Sequence, residues 1–179
     1  MSASLTITTQ GTSTLPEPAR QAVVRLCTAA HQHDFSSLFS FLPPDGLHVL
    51  GYMQAELVSH AVITTRWLQP ESLALLRTAY VDAVATAPAC QGRGHGSAVM
   101  RHLAQVIPDY AIACLETDRV AFYTRLGWEE WRGPLAGRSV DGLIPTPDQH
   151  GILILRLPQT PRLNLDSLLT IECQAARIW

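Results

Sequence analysis

One stretch constrains this chain more than any other. Over Ala79 to Ile107, AYVDAVATAPACQGRGHGSAVMRHLAQVI, an apolar β-branched run meets a glycine-rich turn and then a helical pattern. The run at 79–86 favours a pleated strand. Val99, Leu103 and Val106 or Ile107 recur on one helix face, which predicts a helix from about Gly94 to Ile107, closed by Pro108-Asp109. Between strand and helix lies Gln91-Gly92-Arg93-Gly94-His95-Gly96. Its placement matters more than its glycine content. Glycine lets the backbone adopt positive φ and approach a ligand closely. The N–H groups of the following helix, at its positive dipole end, can then hold an anion such as a pyrophosphate. No Lys-Ser/Thr follows, as a P-loop needs, and the glycine spacing departs from the dinucleotide fingerprint.

The rest of the composition excludes more than it proposes. At 179 residues, 47% of them apolar, the chain is expected to form one domain over 1–179 with a substantial core. A formal charge of −2 offers no electrostatic case for nucleic acid or an anionic membrane. All 13 basic residues are arginine, from which no function follows. Cys27, Cys90, Cys114 and Cys173 are widely spaced, without a Cys-x-x-Cys or a paired Cys/His ligand spacing. Reduced thiols, no metal and a cytoplasmic setting are therefore expected. The N-terminus has neither a basic n-region nor an apolar h-region, and no apolar run reaches spanning length.

In chain order, Leu5 to Thr9 alternates as a short strand would, and Ala19, Ala22, Val23, Leu26 and Ala30 recur at helical spacing behind well-placed prolines. His31 to Gly46 reads as a long loop ending in Pro43-Pro44-Asp45-Gly46, a candidate substrate lid. His48 to Met53 and Leu57 to Trp67 read as a hairpin, and Leu73 to Thr78 as a weak connecting strand. After the glycine turn and its helix come a strand at Ala111 to Leu115 and a short helix at Arg119 to Arg125. Late strands follow at Trp128 to Trp131 and Ile152 to Leu157, separated by a Gly/Pro-rich loop from Gly133 to Gly151. The tail from Leu163 to Trp179 is apolar enough to dock. The element order implies an α/β (α+β) fold, a mixed, mostly antiparallel central sheet with helices on both faces.

Gln91, Gly94 and Gly96 form the Gln/Arg-x-x-Gly-x-Gly/Ala signature, and here the chain resembles the GNAT superfamily of acyl-CoA-dependent N-acyltransferases. Val84-Ala85-Thr86-Ala87-Pro88 has the same look, and Ala121 to Trp128 matches the family's FY-x-x-x-GF/W element. Tyr80-Val81-Asp82, Gly127-Trp128-x-x-Trp131-x-Gly133, the Thr146-Pro147-Asp148 turn before Gly151, and the terminal Trp179 together resemble the aminoglycoside 2′-N-acetyltransferase family. The resemblance runs through most of the chain and is strongest from Tyr80 onward.

It implies direct acetyl transfer from acetyl-CoA to an amine. The amine must lose a proton, the thioester oxygen must be stabilised, and the thiolate must be protonated. By resemblance, Asp82 accepts the amine proton through water and Tyr123 protonates the departing sulfur. Backbone groups at Val84 and Thr86 pair with the pantetheine arm. N–H groups over Gly92, Arg93, Gly94, His95, Gly96 and Ser97 hold the pyrophosphate, with Gln91 and Arg93 as helpers, and the carboxylate of Trp179 meets the substrate amine. Without the resemblance, Asp82 reads as a strand-end carboxylate satisfied by its neighbours and Tyr123 as a half-buried aromatic. His95 is expected to serve through its backbone, while His60, His102, Trp128 and Trp131 read as structural.

Relatives acting on highly cationic deoxystreptamine drugs use several carboxylates. Here Asp34 is kept and Glu172 stands near another acidic position, whereas Phe39, Gln149 and Arg177 fall where such relatives carry Asp. Three lost carboxylates and an added guanidinium disfavour a polycation. They favour a less cationic amino-sugar antibiotic such as kasugamycin, whose carboxylate-bearing amidine an Arg could engage in bidentate fashion. The alternatives are a deoxystreptamine or other small amine, a protein N-terminus, and an acyl-CoA-binding module without turnover. The resemblance and the apolar tail also imply a homodimer.

Overall fold

The computed structural model describes residues 4–174 and 177–179. The chain condenses into two compact units, neither continuous in sequence. One takes the residues up to Thr64 with Val81–Val106, and the other takes Thr65–Tyr80 with Ile107–Trp179.

The first unit contains β1 (Leu5–Gly11), α1 (Glu17–His31), α2 (Leu38–Phe41), β2 (Leu47–Met53), the start of β3 (Glu56–Pro70), the end of β4 (Leu76–Thr86) and α3 (His95–Gln105). β1 pairs antiparallel with β2, and β2 with β3. α1 forms where expected, with Pro18 in its first turn, where the missing N–H costs nothing. It buries Val23, Leu26 and Cys27. These pack with Leu15, Leu38, Leu50, Leu57 and Ala85 in the unit's core. The expected 31–46 loop is partly ordered by α2 and fastened at its end. There Thr12 N–H donates to Gly46 O at 2.7 Å and Ser13 N–H to Pro44 O at 3.1 Å.

In the second unit the strands run β6-β9-β5-β4-β3-β10-β7-β8. The new members are β5 (Ile112–Glu116), β6 (Glu129–Glu130), β7 (Leu135–Ser139), β8 (Gly142–Pro145), β9 (Ile152–Arg156) and β10 (Leu169–Glu172), with α4 at Val120–Thr124. β4 pairs parallel with β5, and β10 parallel with β7. β10–β3, β5–β9, β6–β9 and β7–β8 are antiparallel, so the sheet is mixed and mostly antiparallel. Eleven of the 15 residues of β3 are buried, the near-continuous burial of a strand covered on both faces.

Three features differ from the sequence expectation. The weak strand at Leu73 to Thr78 and the strand at Ala79 to Thr86 are one strand, β4. The Gly133 to Gly151 loop holds the β7–β8 hairpin, and the tail supplies β10. β10 is only four residues long, and its partners lie about 35 and 100 positions away, beyond the reach of local periodicity. The tail docks as its apolar content implied, with Leu163, Leu165, Leu169, Ile171 and Trp179 all buried in the second unit's core.

Candidate active site

The glycine turn has the conformation its sequence demands. Gly92 and Gly94 take φ of 74° and 82°, in the left-handed region, and a Cβ added at either would meet nothing within 4 Å. Glycine is needed there for its backbone, and the space above the turn is open. Gly94 caps α3 without a side-chain hydrogen bond, which leaves the first-turn amides of His95, Gly96 and Ser97 for an anion. Arg93 is exposed beside them, and Gln91, also exposed, donates through Nε2 to Thr86 O at 3.2 Å.

The strand leading into this turn ends in an unusual way. Ala83 has φ of +49°, rare for a residue with a Cβ. Four successive carbonyls each accept from a side chain. His60 Nδ1 lies 2.9 Å from Ala83 O, His31 Nε2 3.1 Å from Val84 O, Ser59 Oγ 3.1 Å from Ala85 O, and Gln91 Nε2 bonds Thr86 O as above. Asp82, half-buried, immediately precedes this segment. The proposed base and the two proposed pantetheine positions, Val84 and Thr86, therefore lie on backbone held by side chains rather than by regular ladder bonds alone. His31, Ser59 and His60 went unmarked as site residues in the sequence, because nothing local to them points at β4.

Two further predicted residues belong to this unit. Asp34 is exposed and closes a local turn: Ser36 N–H donates to Oδ1 at 2.8 Å and Ser36 O–H to Oδ2 at 2.7 Å. These bonds, the hydroxyl first and the amide second, pull the carboxyl below its ordinary range. Phe39, on α2, stacks on His48 with centroids 5.5 Å apart, and the Arg20 guanidinium lies 5.1 Å from its ring.

The second unit carries the remaining candidates. Tyr123 is 6% exposed, on the short α4, and packs edge-on to Phe122 and Trp128. Burial pushes its hydroxyl up to about 12, so it keeps its proton at neutral pH, as an acid must. Gln149 lines a cleft of about 560 Å³ with Trp131, Pro134, Pro145, Thr146 and Pro147. Gln149 Nε2 donates to Glu116 Oε1 at 2.8 Å. Trp179 is buried, and its indole N–H donates to Thr146 Oγ1, on the cleft wall, at 3.0 Å.

Glu172 is heavily engaged within the protein. Its Oε1 accepts from Arg66 Nε at 3.1 Å, its Oε2 accepts the Trp67 N–H at 2.9 Å, and Arg138 Nη2 stands 4.0 Å away. Arg66 is wholly buried on β3, and its Nη2 also donates to Glu172 O and Ile178 O, gripping both ends of the final turn. Tyr80 receives both Arg66 and Arg177 against its ring, at 5.1 and 5.3 Å. Sequence reading passed over Arg66, although a lone arginine within the apolar run of β3 was a signal that it has a fixed partner.

The structure thus combines a mixed α/β sheet, a glycine turn, a helix N-terminus without a side-chain cap that could receive an anion, and a buried, protonated phenol on α4. Residues 19–131 match the model of the acetyltransferase (GNAT) domain, and the chain belongs to that family of N-acetyltransferases. It is 31% identical over 172 residues, 90% of its own length and 85% of the relative's, to an aminoglycoside 2′-N-acetyltransferase of Mycolicibacterium fortuitum. Its fold is similar to that of a GNAT family N-acetyltransferase (YhbS) of Escherichia coli solved with CoA, at a TM-score of 0.66, 12% identity and 97% and 92% coverage of the two chains. It also resembles a probable N-acyltransferase from Enterococcus faecalis V583, at a TM-score of 0.60 and 17% identity over 71% of this chain, which spans about a third (32%) of that protein. No helix among the described residues is long and apolar enough to cross a membrane. Among the described residues there is also no group of three His, Cys, Asp or Glu that could hold a metal ion.

Proposed function

We propose that this chain transfers the acetyl group of acetyl-CoA directly to the 2′-amine of an amino-sugar antibiotic, with kasugamycin as the preferred acceptor, and so confers resistance to it. The residues present fit the co-substrate: open space lies above Gly92 and Gly94, and the first-turn amides of α3 are free of a side-chain cap. Acetyl-CoA supplies the acetyl group as a thioester. The amides over Gly92 to Ser97 hold its diphosphate, and Val84 and Thr86 align its pantetheine arm. Asp82 takes the proton of the attacking amine through a water. Tyr123, protonated because it is buried, gives its proton to the leaving sulfur.

The observation that carries the choice of acceptor is the state of Glu172. Its carboxylate already faces two guanidiniums and a backbone N–H, so it has little left for a substrate ammonium. With Phe39 packed against His48 and Gln149 bonded to Glu116, the positions where deoxystreptamine-acetylating relatives place carboxylates supply little negative potential here. An acceptor with few amines and a carboxylate suits this balance, with Arg177 as its partner. We also place the enzyme in the cytoplasm as a homodimer, for which the exposed Val140, Leu143 and Ile144 at β8 are an available apolar surface.

CoA thiol release by the purified protein tests the reading against kasugamycin, a kanamycin-type drug and a peptide amine. Turnover of kasugamycin well above the other two is expected. Turnover of kanamycin with none of kasugamycin refutes the charge argument. Tight acetyl-CoA binding with no turnover of any amine identifies a binding module instead.

A further inference from the structure

Two imidazoles are wholly buried in the first unit, and no step of acetyl transfer uses them. His48 on β2 and His60 on β3 are both 0% exposed. Buried polar groups are costly unless they are partnered, and here every ring nitrogen has a partner. His60 Nδ1 is 2.9 Å from Ala83 O, His60 Nε2 is 2.9 Å from His48 Nδ1, and His48 Nε2 is 3.0 Å from Thr12 Oγ1. The Cys27 thiol is the other group against Ala83 O, at 3.7 Å, and it lies 3.9 Å from His60 Nδ1. Arg20 is the charged group on the His48 side.

These contacts admit one pattern of protons. Burial, then Arg20, pushes His48 down to about 4; burial, then His48, pushes His60 down to about 3, so both rings are neutral at neutral pH. A carbonyl only accepts, so His60 must carry its proton on Nδ1. Its bare Nε2 must then accept from His48 Nδ1–H, and the bare Nε2 of His48 must accept from the Thr12 hydroxyl. The Thr12 hydroxyl is also within donating reach of Gly46 O, at 3.1 Å, but its single proton is required at the bare ring nitrogen, which has no other donor, whereas Gly46 O keeps the Thr12 N–H. Every donor in the relay therefore points toward Ala83 O, and both rings take the Nδ1–H tautomer, the opposite of the form that dominates free histidine.

The relay ends on the one strained residue beside the proposed base. A left-handed Ala is strained and persists only where its surroundings over-determine it. We propose that His60, oriented by His48 and Thr12, is a positioning residue for acetyl transfer. By holding the Ala83 carbonyl it keeps the kink that aims Asp82 on one side and the backbone of Val84 on the other. The functional half of this statement rests on the acetyl-transfer reading above, whereas the tautomers and the kink do not.

The experiment separates the two. In protein carrying ¹⁵N-histidine, His48 and His60 should both show the Nδ1–H tautomer and no titration between pH 5 and 8; an Nε2–H form of His60, or titration in that range, overturns the relay. The ¹³C shifts of Ala83 should report the left-handed conformation in the wild type and in His60→Asn, whose amide nitrogen replaces Nδ1–H, and should lose it in His60→Leu. Retention of the kink in a folded His60→Leu overturns the proposal. On whichever amine turns over, kcat should fall about tenfold or more in His60→Leu, with acetyl-CoA affinity within about threefold, and His60→Asn should recover most of the loss. An unchanged kcat in His60→Leu overturns the functional half. Should His60→Leu fail to fold, Thr12→Val removes the hydroxyl at the far end and leaves His48 Nε2 without its donor. It should shift the ¹⁵N resonance of that nitrogen and lower kcat while both rings keep Nδ1–H; an Nε2–H form of either ring, or an unchanged kcat, overturns the relay.

Discussion

Arg66→Met would test how the C-terminal turn is held. Three hydrogen bonds leave with the guanidinium: Nε to Glu172 Oε1, and Nη2 to the carbonyls of Glu172 and Ile178. Met fills most of the volume, so cavity formation is minor. A hydrogen bond to a charged donor is worth about 1.5–3 kcal/mol. The carboxylate of Glu172 is partly exposed (32%) and can recruit water and Arg138, which discounts that bond heavily. The two carbonyls bonded to Nη2 have less recourse, and the sum comes to about 3 kcal/mol. For a chain of this size the midpoint temperature should fall by about 6–12 °C. Urea unfolding should show the same loss with an unchanged m-value. Arg66→Lys keeps a charge but loses the fork, and should recover only part of the difference. A loss below about 1 kcal/mol in Arg66→Met would show that the turn is held by its buried leucines, isoleucine and tryptophan, and that the clamp contributes little. Because Arg177 and Trp179 flank Ile178, which bears one of the two carbonyls held by Nη2, the variant should also raise KM for the amine more than for acetyl-CoA.

Further outcomes follow from the same geometry. Tyr123→Phe should lower kcat by about 100-fold or more with acetyl-CoA affinity within about twofold, measured by steady-state kinetics and calorimetry; unchanged kcat removes Tyr123 as the acid. Gly94→Ala meets open space but must hold φ near 82°, so it should lose about 1–2 kcal/mol of stability and weaken acetyl-CoA binding more than it lowers kcat. His48 and His60 stay neutral in the fold, down to about 4 and about 3, while unfolded histidine protonates near 6.5. Their contribution is therefore complete above about pH 6.5 and is lost as pH falls toward 4 and then 3. Acid unfolding followed by calorimetry should show the wild type taking up about two more protons on unfolding near pH 5 than a variant lacking both rings.

Much of the scaffold was legible because its determinants are local. The glycine turn could be read from the positive φ that only glycine accepts cheaply, α1 from its proline start and apolar spacing, and the β2–β3 hairpin from two apolar runs around a short turn. The β7–β8 hairpin was hidden in a Gly/Pro-rich stretch, and β10 in a tail whose strand is too short to show a period. The site divides in the same way. Tyr123 sits in a recognisable sequence element, and only the fold shows that it is buried and keeps its proton.

By itself the sequence determined the glycine turn, which depends on residues within a few positions of one another, and pointed to the family through several motifs each of that length. Tertiary structure alone decided which polar groups are engaged. Glu172 meets Arg66 across 106 positions, and His60 reaches Ala83 across 23, through pairings that no neighbour in sequence announces. A carboxylate or an imidazole carries the same potential chemistry wherever it stands in a chain. Burial and its partners fix what it does, and those are properties of the folded backbone.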